Sequence, residues 1–387
     1  MSIGLAAPAS TGSAFDERIR VMVVDDAAVV RSTIGRWLEA EPDMAIAGLL
    51  RGGREAVEQI KRQSPHIVIL DITMPDMDGI AALPLLLREK RDLVVLMVST
   101  LTRRNAEISM RALSLGATDC IAKPQSDREI GSCDLFRREL IARIRALGGR
   151  GKRGGNVFRQ GLGTGELPQL EAPGIASGSA ETGRIALRPF PAVPPRVLLI
   201  GASTGGPQAL NALLAAMGQV IDHVPVLVTQ HMPATFTAIL AEHLARASGR
   251  PAAEAQDGEL VRAGRIYVAP GGFHMCVGRR AGEPVIVLDD GPPVNFCKPA
   301  ADRMFVSAAA VWGAWSLAVV LTGMGCDGLR GAASLASAGA GIIAQDEDTS
   351  VVWGMPGRVA QAGLACAVLP LDKIAFKIVR LFCGGRR

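Results

Sequence analysis

The chain has 387 residues, of which 49% are hydrophobic and 20% are charged, and its formal net charge is +5. This length suffices for two ordinary domains with separate cores, so one compact domain is not expected. The basic residues are scattered, and the densest cluster, residues 137–153, runs from a predicted helix end into a glycine-rich segment, which argues against a nucleic-acid partner.

The seven cysteines and the absence of long apolar runs exclude further classes of protein. No C-x-x-C pair occurs, so neither a disulfide framework nor a zinc site is predicted, and a reducing cytoplasm suits the chain. No apolar run approaches the roughly 18 residues that span a bilayer, and residues 1–16 do not resemble a signal peptide. We therefore expect a cytoplasmic protein without direct membrane insertion.

Five short apolar runs before residue 148 alternate with amphipathic stretches. This rhythm is typical of buried parallel strands that are covered by helices. We expect a five-stranded, doubly wound parallel α/β sheet here. The predicted strands span residues 20–24, 45–50, 67–70, 93–98 and 118–122.

Polar side chains follow these predicted strands. Asp25 and Asp26 follow the first strand, Asp71 the third, Ser99 the fourth and Lys123 the fifth. Because the carboxyl ends of parallel strands share one edge of a sheet, these side chains should converge there. Three carboxylates in one crevice favour a bound Mg²⁺, and the hydroxyl and ammonium groups complete a set suited to phosphoryl transfer.

Residues 19–147 resemble a response-regulator receiver domain. The resemblance rests on three motifs: VVDD at 23–26, LDITMPDMDG at 70–79 and AKP at 122–124. It implies that Asp71 accepts a phosphoryl group from a histidine kinase. It also implies that Asp25, Asp26, Asp71 and the backbone carbonyl of Thr73 hold Mg²⁺.

The same resemblance implies that Ser99 and Lys123 contact the phosphoryl oxygens. Two positions depart from the family pattern. Ala27 stands where these domains often carry serine, and Cys120 stands where many carry an aromatic switch residue.

Residues 148–195 are predicted to form a flexible linker, because glycine, proline, arginine and small polar residues replace the periodic apolar pattern. Residues 196–383 return to it and predict a larger, mostly parallel α/β domain with an antiparallel hairpin. The predicted parallel strands are 197–200, 226–229, 265–269, 317–321 and 341–344, and the hairpin strands are 275–277 and 285–288.

Three polar residues lie just beyond strand ends of this second domain: Ser203, His231 and Asp327. They can meet along one sheet edge as nucleophile, general base and orienting carboxylate for acyl transfer. Glycines on both sides of Met324 leave its amide uncovered, which makes it a candidate oxyanion donor.

Each of these residues also has a simpler interpretation. Ser203 and Asp327 could cap helices, and His274 in the PGGFHM segment is a rival base. Residues 201–206 could form a phosphate loop, although their spacing fits neither a dinucleotide fingerprint nor a Walker loop with its lysine.

Over nearly its full length the chain resembles the chemotaxis response-regulator protein-glutamate methylesterases, the CheB family. The motifs that carry the resemblance are GASTGG at 201–206, QHMP at 230–233, APGG at 269–272, PPVN at 292–295 and LTGMGCDG at 321–328. The resemblance implies hydrolysis of γ-glutamyl methyl esters on chemoreceptor helices, with release of methanol, and deamidation of certain receptor glutamines. It assigns Ser203 as nucleophile, His231 as base and Asp327 as its partner, with Thr204 and the Met324 amide lining the site.

The implied partners are methylated chemoreceptor helices and a histidine kinase as phosphodonor, without nucleic acid. We expect a monomer, phosphorylation-dependent activity and no cofactor in the esterase site. One departure is Cys297, which stands where the family often has histidine. Two other classes stay open: a binding adaptor without chemistry, and a receiver coupled to DNA binding, for which no helix-turn-helix candidate follows the linker.

Overall fold

The structure is a computed structural model that describes residues 18–100, 102–123, 130–148 and 185–383. These residues divide into two compact units, each built on its own parallel sheet. The two-domain α/β architecture predicted from the sequence is therefore confirmed. None of the described helices is long and apolar enough to cross a membrane.

The N-terminal part of the chain alternates strands and helices. The elements are β1 (Ile19–Val24), α1 (Ala28–Glu39), β2 (Met44–Leu50), α2 (Gly53–Gln63), β3 (Ile67–Asp71), α3 (Gly79–Glu89), β4 (Val94–Thr100), α4 (Arg103–Ser114), β5 (Asp119–Lys123) and α5 (Ile130–Gly148).

The first sheet has the strand order β2-β1-β3-β4-β5. β1 pairs in parallel with β2 and β3, and β3 pairs in parallel with β4. Every residue of β3 is buried, which explains why its sequence is a continuous apolar run up to Asp71. β1, β3 and β5 consequently deliver their carboxyl ends to one edge of the sheet.

The C-terminal part of the chain contains more elements and a larger sheet. The elements are β6 (Val197–Ala202), α6 (Gly206–Ala215), α7 (Gly218–Ile221), β7 (Val226–Gln230), α8 (Phe236–Ser248), β8 (Ala252–Glu254), β9 (Ile266–Val268), β10 (His274–Arg280), β11 (Glu283–Asp289), α9 (Ala301–Trp312), a 3₁₀ turn (Gly313–Trp315), β12 (Ser316–Val320), α10 (Leu329–Ser337), β13 (Gly341–Gln345), α11 (Met355–Gln361), β14 (Ala367–Leu369) and α12 (Leu371–Cys383).

The second sheet has seven parallel strands in the order β14-β13-β12-β6-β7-β9-β8. β6 lies between β7, which follows it in the chain, and β12, which comes much later. The strand order therefore reverses at β6, and in open α/β sheets ligands bind outside the carboxyl ends of strands at such a point. The short strands β8 and β14 were not among the predicted strands.

The antiparallel hairpin is a separate two-stranded sheet. β10 and β11 pair antiparallel from His274 opposite Asp289 to Arg280 opposite Glu283. The hairpin packs on α9, and the apolar side chains of both join one core with β12 and α10, in which Met275, Phe305 and Leu335 are buried. The hairpin and α9 therefore belong to the hydrophobic core of the second unit.

The end of the predicted linker differs from the expectation of a flexible segment. Residues 149–184 lie outside the described residues, but residues 185–195 lie on the second unit. The Arg188 guanidinium donates hydrogen bonds to the carbonyls of Ala336 at 2.9 Å and of Ala340 and Leu364 at 3.4 Å. The backbone amide of Arg188 also donates to a carbonyl beside β14, at 2.9 Å. A fork of five N–H donors can satisfy several carbonyls at once, so Arg188 anchors this segment.

Candidate functional site

Ser203 lies where β6 ends, at the reversal point of the second sheet. Its amide donates to the carbonyl of Thr322 at 3.0 Å, and its carbonyl accepts from the Gln230 side chain at 2.9 Å. α6 begins three residues later, and its N-cap is Gly205, which has a φ of 76° and no capping side chain. The interpretation of Ser203 as a helix cap is therefore wrong, because its hydroxyl does not bind the first amides of α6.

His231 and Asp327 are in direct contact. The His231 amide donates to the carbonyl of Ala202, which aligns the ends of β6 and β7. His231 Nε2 lies 2.6 Å from Oδ2 of Asp327. Because a carboxylate is only an acceptor, Nε2 must carry a proton, and the neutral ring then has its lone pair on Nδ1. Asp327 thus fixes the tautomer that a general base requires.

The Asp327 carboxylate also binds the start of α9. It accepts hydrogen bonds from the amides of Ala301 at 2.6 Å and Asp302 at 3.0 Å. α10, which follows Asp327 in the chain, begins after Gly328 without a side-chain cap. The idea that Asp327 caps the following helix is wrong, since it caps a helix that precedes it by 26 residues.

Electrostatics keep Asp327 ionised. Burial alone would raise the pKa of Asp327, but the hydrogen bond and charge of His231 and the two α9 amides together lower it. The neighbouring carboxyl of Asp302 is buried beside this charge, and burial followed by repulsion from Asp327 raises the pKa of Asp302 to about 6. Asp302 accepts a hydrogen bond from the Gly331 amide at 2.7 Å, which ties α9 to α10.

The other ring nitrogen of His231 faces a thiol. Nδ1 of His231 lies 3.4 Å from Sγ of Cys297. Burial lowers the pKa of His231, but the charge on Cys297 and the hydrogen bond and charge of Asp327 outweigh it and raise that pKa to about 10. Among the described residues, Ser203 Oγ makes no hydrogen bond with His231. The structure therefore joins two members of the expected triad and leaves the serine on the adjacent strand end.

The amide of Met324 is oriented by the peptide that precedes it. The carbonyl of Gly323 accepts hydrogen bonds from the amides of Gly354 at 3.0 Å and Met355 at 2.8 Å. In a trans peptide the N–H points opposite to the C=O, so the Met324 N–H points away from these two residues. No described residue accepts a hydrogen bond from it.

Gly323 makes the approach of this loop to Ser203 possible. A Cβ at Gly323 would lie 2.8 Å from Cβ of Ser203 and 2.4 Å from Sδ of Met355. Thr204, the other predicted lining residue, is buried, and its carbonyl accepts from the Thr322 hydroxyl at 2.9 Å. The peptide that carries the Met324 amide is thus held against the serine.

His274 is excluded as a rival base by its hydrogen bonds. Its side chain is fully buried, Nδ1 accepts from the amide of Ala300 at 3.1 Å, and Nε2 donates to the carbonyl of Pro292 at 3.0 Å. Burial lowers the pKa of His274. Both ring nitrogens form hydrogen bonds with backbone groups, so this histidine stabilises the loop before α9.

The first unit contains the predicted carboxylate cluster. Oxygen atoms of Asp25, Asp26 and Asp71 all lie within 4.8 Å of one another. Lys123 Nζ lies 2.7 Å from Oδ2 of Asp25 and 2.7 Å from Oδ1 of Asp71. Asp25 and Asp71 are buried, whereas Asp26 is exposed to solvent.

The charges of this cluster are interdependent. Burial raises the pKa of Asp71, and the nearby Asp25 charge adds to this, against the opposing attraction of Lys123. Burial opposes the charge on Lys123, but Asp71 and Asp25 together raise the pKa of the ammonium group. The lysine thereby remains a cation that holds two carboxylates together.

Ser99 and Thr73 lie at the same edge of the sheet. Asp71 pairs with Val98 in β4, so Ser99 is one residue further along that strand, and its side chain is buried. Thr73 follows β3 by two residues in an exposed loop. The donor set of three carboxylates beside a backbone turn consists of hard oxygen ligands, and it fits Mg²⁺.

Two contributors to the second site were not anticipated from the sequence. Cys297 was noted only as a departure from the family pattern, and Asp302 was not considered. An acidic residue at the second position of a helix was a usable signal for Asp302, because helix N-termini attract carboxylates. No sequence signal pairs Cys297 with a histidine 66 positions away.

Comparison with known proteins gives matches over both units. Residues 198–378 match the CheB methylesterase family, and residues 21–132 match the response regulator receiver domain family. A protein-glutamate methylesterase/protein-glutamine glutaminase from Rhodopseudomonas palustris (strain BisB5) is 56% identical over 387 residues, covering 100% of both chains. The protein of the same name from Azospirillum brasilense is 49% identical over 94% of this chain and 93% of its own.

Solved structures also resemble parts of the chain. The CheB methylesterase catalytic domain of Thermotoga maritima shares 39% identity, with a TM-score of 0.47, and covers 49% of this chain and 100% of its own.

Proposed function

This chain belongs to the CheB methylesterase family, and from that premise we propose that it hydrolyses γ-methyl esters of glutamate on chemoreceptors and deamidates specific receptor glutamines. The relatives carry both activities in their name. The observation that carries the proposal is the 2.6 Å contact between His231 and Asp327 beside the strand end that bears Ser203. A hydroxyl, an imidazole of fixed tautomer and a buried carboxylate are the groups that acyl transfer uses.

In the proposed reaction His231 is the general base and Ser203 the nucleophile. In the neutral form of the ring, Nδ1 of His231 takes the proton of the Ser203 hydroxyl as Oγ attacks the carbonyl carbon of the ester. The imidazolium that forms is stabilised by the Asp327 carboxylate, which stays ionised because its pKa is lowered. For this step Nδ1 must exchange its contact with Cys297 for a hydrogen bond with the Ser203 hydroxyl. Such a change is expected on substrate binding, because catalytic hydrogen bonds are often incomplete before substrate binds.

The tetrahedral intermediate needs a donor for its oxyanion. The Met324 amide is supported for this role because its peptide is fixed by two hydrogen bonds to the Gly323 carbonyl. Nδ1 then protonates the leaving methanol, or ammonia when the substrate is a glutamine amide. Water attacks the acyl-enzyme with the same base, and Ser203 is restored.

Phosphorylation of Asp71 is proposed to control this activity. Asp25 and Asp26, with Asp71 and the Thr73 carbonyl, would hold Mg²⁺, which when bound neutralises charge on the transferring phosphoryl group. Lys123 already bridges Asp25 and Asp71, and would shift toward the phosphoryl oxygens together with Ser99. A histidine kinase is the proposed phosphodonor.

The experiment measures methanol release from methylated receptor. The parent chain should release methanol, and Ser203→Ala should lose at least about 10⁴-fold in kcat, because removal of a triad nucleophile leaves only binding and oxyanion contributions. Cys133→Ser, at an exposed position of α5, is the matched control and should keep the parent rate. Full methanol release by Ser203→Ala would exclude the proposed chemistry.

A second arm tests regulation. A small phosphodonor with Mg²⁺ should raise the rate of the parent chain and leave Asp71→Asn unchanged. Equal responses of the two chains would exclude Asp71 as the controlling site without affecting the assignment of Ser203.

A further inference from the structure

Cys297 and His231 form a pair that the esterase mechanism does not use. Sγ of Cys297 lies 3.4 Å from Nδ1, the ring nitrogen that does not contact Asp327. Sγ also lies 3.4 Å from the carbonyl oxygen of Asn295, so the thiol has two neighbouring polar atoms. Cys297, His231 and Asp327 therefore lie in the order nucleophile, base and carboxylate that activates cysteine in other enzymes.

The loop around Cys297 holds the thiol in this position. The amides and carbonyls of Val294 and Cys297 bond reciprocally, at 3.0 and 2.9 Å, around Asn295 and Phe296, whose φ angles are 51° and 64°. Two successive left-handed residues between paired neighbours make a tight turn. Cys297 is also partly exposed to solvent, so a small reagent can reach it.

The charges around the pair favour a cationic His231 beside the Cys297 side chain. The Asp327 carboxylate stabilises a cationic His231 from the far side of the ring. Thiolates next to a cationic histidine are the reactive form of cysteine. By contrast, burial raises the pKa of Cys276 and of Cys326, and the charges of Asp302 and Asp327 raise that of Cys326 further.

We propose that Cys297 is a modification site of this protein, which reacts with hydroperoxides and thereby switches off the esterase. The modification itself rests only on the contact with His231. The loss of esterase activity rests in addition on the proposed function, because it requires that Ser203 uses the same ring nitrogen.

The reaction balances within the pair. The Cys297 thiolate attacks the terminal oxygen of the hydroperoxide, so that an S–O bond forms and the O–O bond breaks. Sulfur loses two electrons, the peroxide gains them, and the departing alkoxide or hydroxide takes the Nδ1 proton of His231. The products are a sulfenic acid, an alcohol or water, and a neutral imidazole.

The sulfenic acid then blocks catalysis and can be removed. Its O–H lies next to Nδ1 and occupies the lone pair that Ser203 needs. A low-molecular-weight thiol attacks the sulfenic sulfur to give a mixed disulfide and water, and a second thiol releases Cys297 with formation of a free disulfide. Recovery of activity should therefore need two thiol equivalents.

The first experiment measures labelling of the full chain. The protein is treated with hydrogen peroxide at neutral pH together with a sulfenic-acid-specific dione, and labelled peptides are quantified by mass spectrometry. We expect Cys297 to be labelled about tenfold faster than the exposed Cys133, because thiolate character controls the rate. His231→Gln should reduce Cys297 labelling to the level of Cys133.

Asp327→Asn is a second test of the same point, since it disturbs the imidazole without touching either atom of the contact. Circular dichroism confirms that each variant is folded. Labelling of Cys297 at the same rate in parent, His231→Gln and Asp327→Asn would overturn the proposal. Preferential labelling of Cys326 or Cys133 would also overturn it.

The second experiment follows methanol release after the same treatment. The parent chain should lose activity in step with labelling and regain it with excess thiol. Cys297→Ser should keep nearly all of its own starting rate after peroxide. Equal inactivation of both chains would overturn the switch, whereas a parent chain that never releases methanol would refute the proposed function and leave the labelling result to decide the modification site.

Discussion

Nε2 of His231 and Oδ2 of Asp327 lie 2.6 Å apart, and the same carboxylate accepts the first amides of α9. One acidic side chain thus sets the tautomer of the base and fixes the start of a helix. These two roles can be separated by substitution.

Asp327→Asn should lower kcat by about 10⁴-fold, because an amide donates a proton to Nε2 and forces the wrong tautomer on His231. The measurement is the steady-state rate of methanol release. Asn retains an acceptor for one α9 amide, so the chain should still fold. A variant with more than a tenth of parental kcat would show that the tautomer is not set by this contact.

Cys297→Ser should move the acidic limb of the kcat/KM profile to lower pH. The charges of Cys297 and Asp327 raise the pKa of His231, and a base with a raised pKa loses activity at a higher pH as pH falls. Removal of this contact should shift the limb down by at least about one pH unit. The profile is read from methanol release, with Cys276→Ser as the control, and coincident limbs for parent and Cys297→Ser would contradict this assignment.

Gly323→Ala should remove activity more than stability. The added Cβ would meet Ser203 and Met355, and both must shift. Overpacking of this size lowers the free energy of unfolding by about 1–3 kcal/mol. Gly278→Ala in β10 is the control, because its Cβ would approach only a Val287 methyl at 3.2 Å. The prediction fails if Gly323→Ala keeps the parental kcat.

Mg²⁺ should stabilise the first unit through its three carboxylates. At ten times its Kd, a ligand that binds only the folded state adds about 1.4 kcal/mol. Thermal unfolding with Mg²⁺, against NaCl of equal ionic strength, should show this shift in the parent and in Ser203→Ala, and Asp26→Asn should lose most of it. An unchanged Mg²⁺ response of Asp26→Asn would argue against this ligand set.

Arg188→Ala should destabilise the second unit by about 2–3 kcal/mol, because three carbonyls lose a charged donor. Arg188→Lys should recover only part of this loss, since an ammonium lacks the planar fork. Urea unfolding provides the measurement. A free energy of unfolding equal to the parent's would mean that residues 185–195 contribute no stability.

The strands were predictable where they are buried on both sides. β3, β6 and β12 are continuous apolar runs because both faces of a parallel sheet are covered, and their ends therefore located Asp71, Ser203 and Asp327. β8 and β14 have three residues each, too few for a run to stand out.

Side-chain contacts between distant loops were not predictable in the same way. The approach of Cys297 to His231 depends on the left-handed turn at Asn295 and Phe296. A glycine in this segment would have indicated such a turn from the sequence, but neither of these two residues is a glycine. Similarly, Asp327 looked like a cap for the helix that follows it, because sequence proximity is visible and the position of α9 is not. Arg188 lies in a segment whose composition is that of a linker, and only its three acceptors reveal the anchor.

The double use of Asp327 has a consequence for how this chain tolerates mutation. Most catalytic side chains can be replaced without harm to folding, so in a library of variants sorted by cellular abundance alone, changes at Ser203 should pass unnoticed. Changes at Asp327 that leave no acceptor, such as Asp327→Ala, should be depleted before any activity is assayed, because they release the amides of α9 and leave the buried imidazole without its counter-charge. If a chain of this kind were no longer selected for activity but still selected for folding, substitutions at Ser203 would therefore accumulate before substitutions at Asp327.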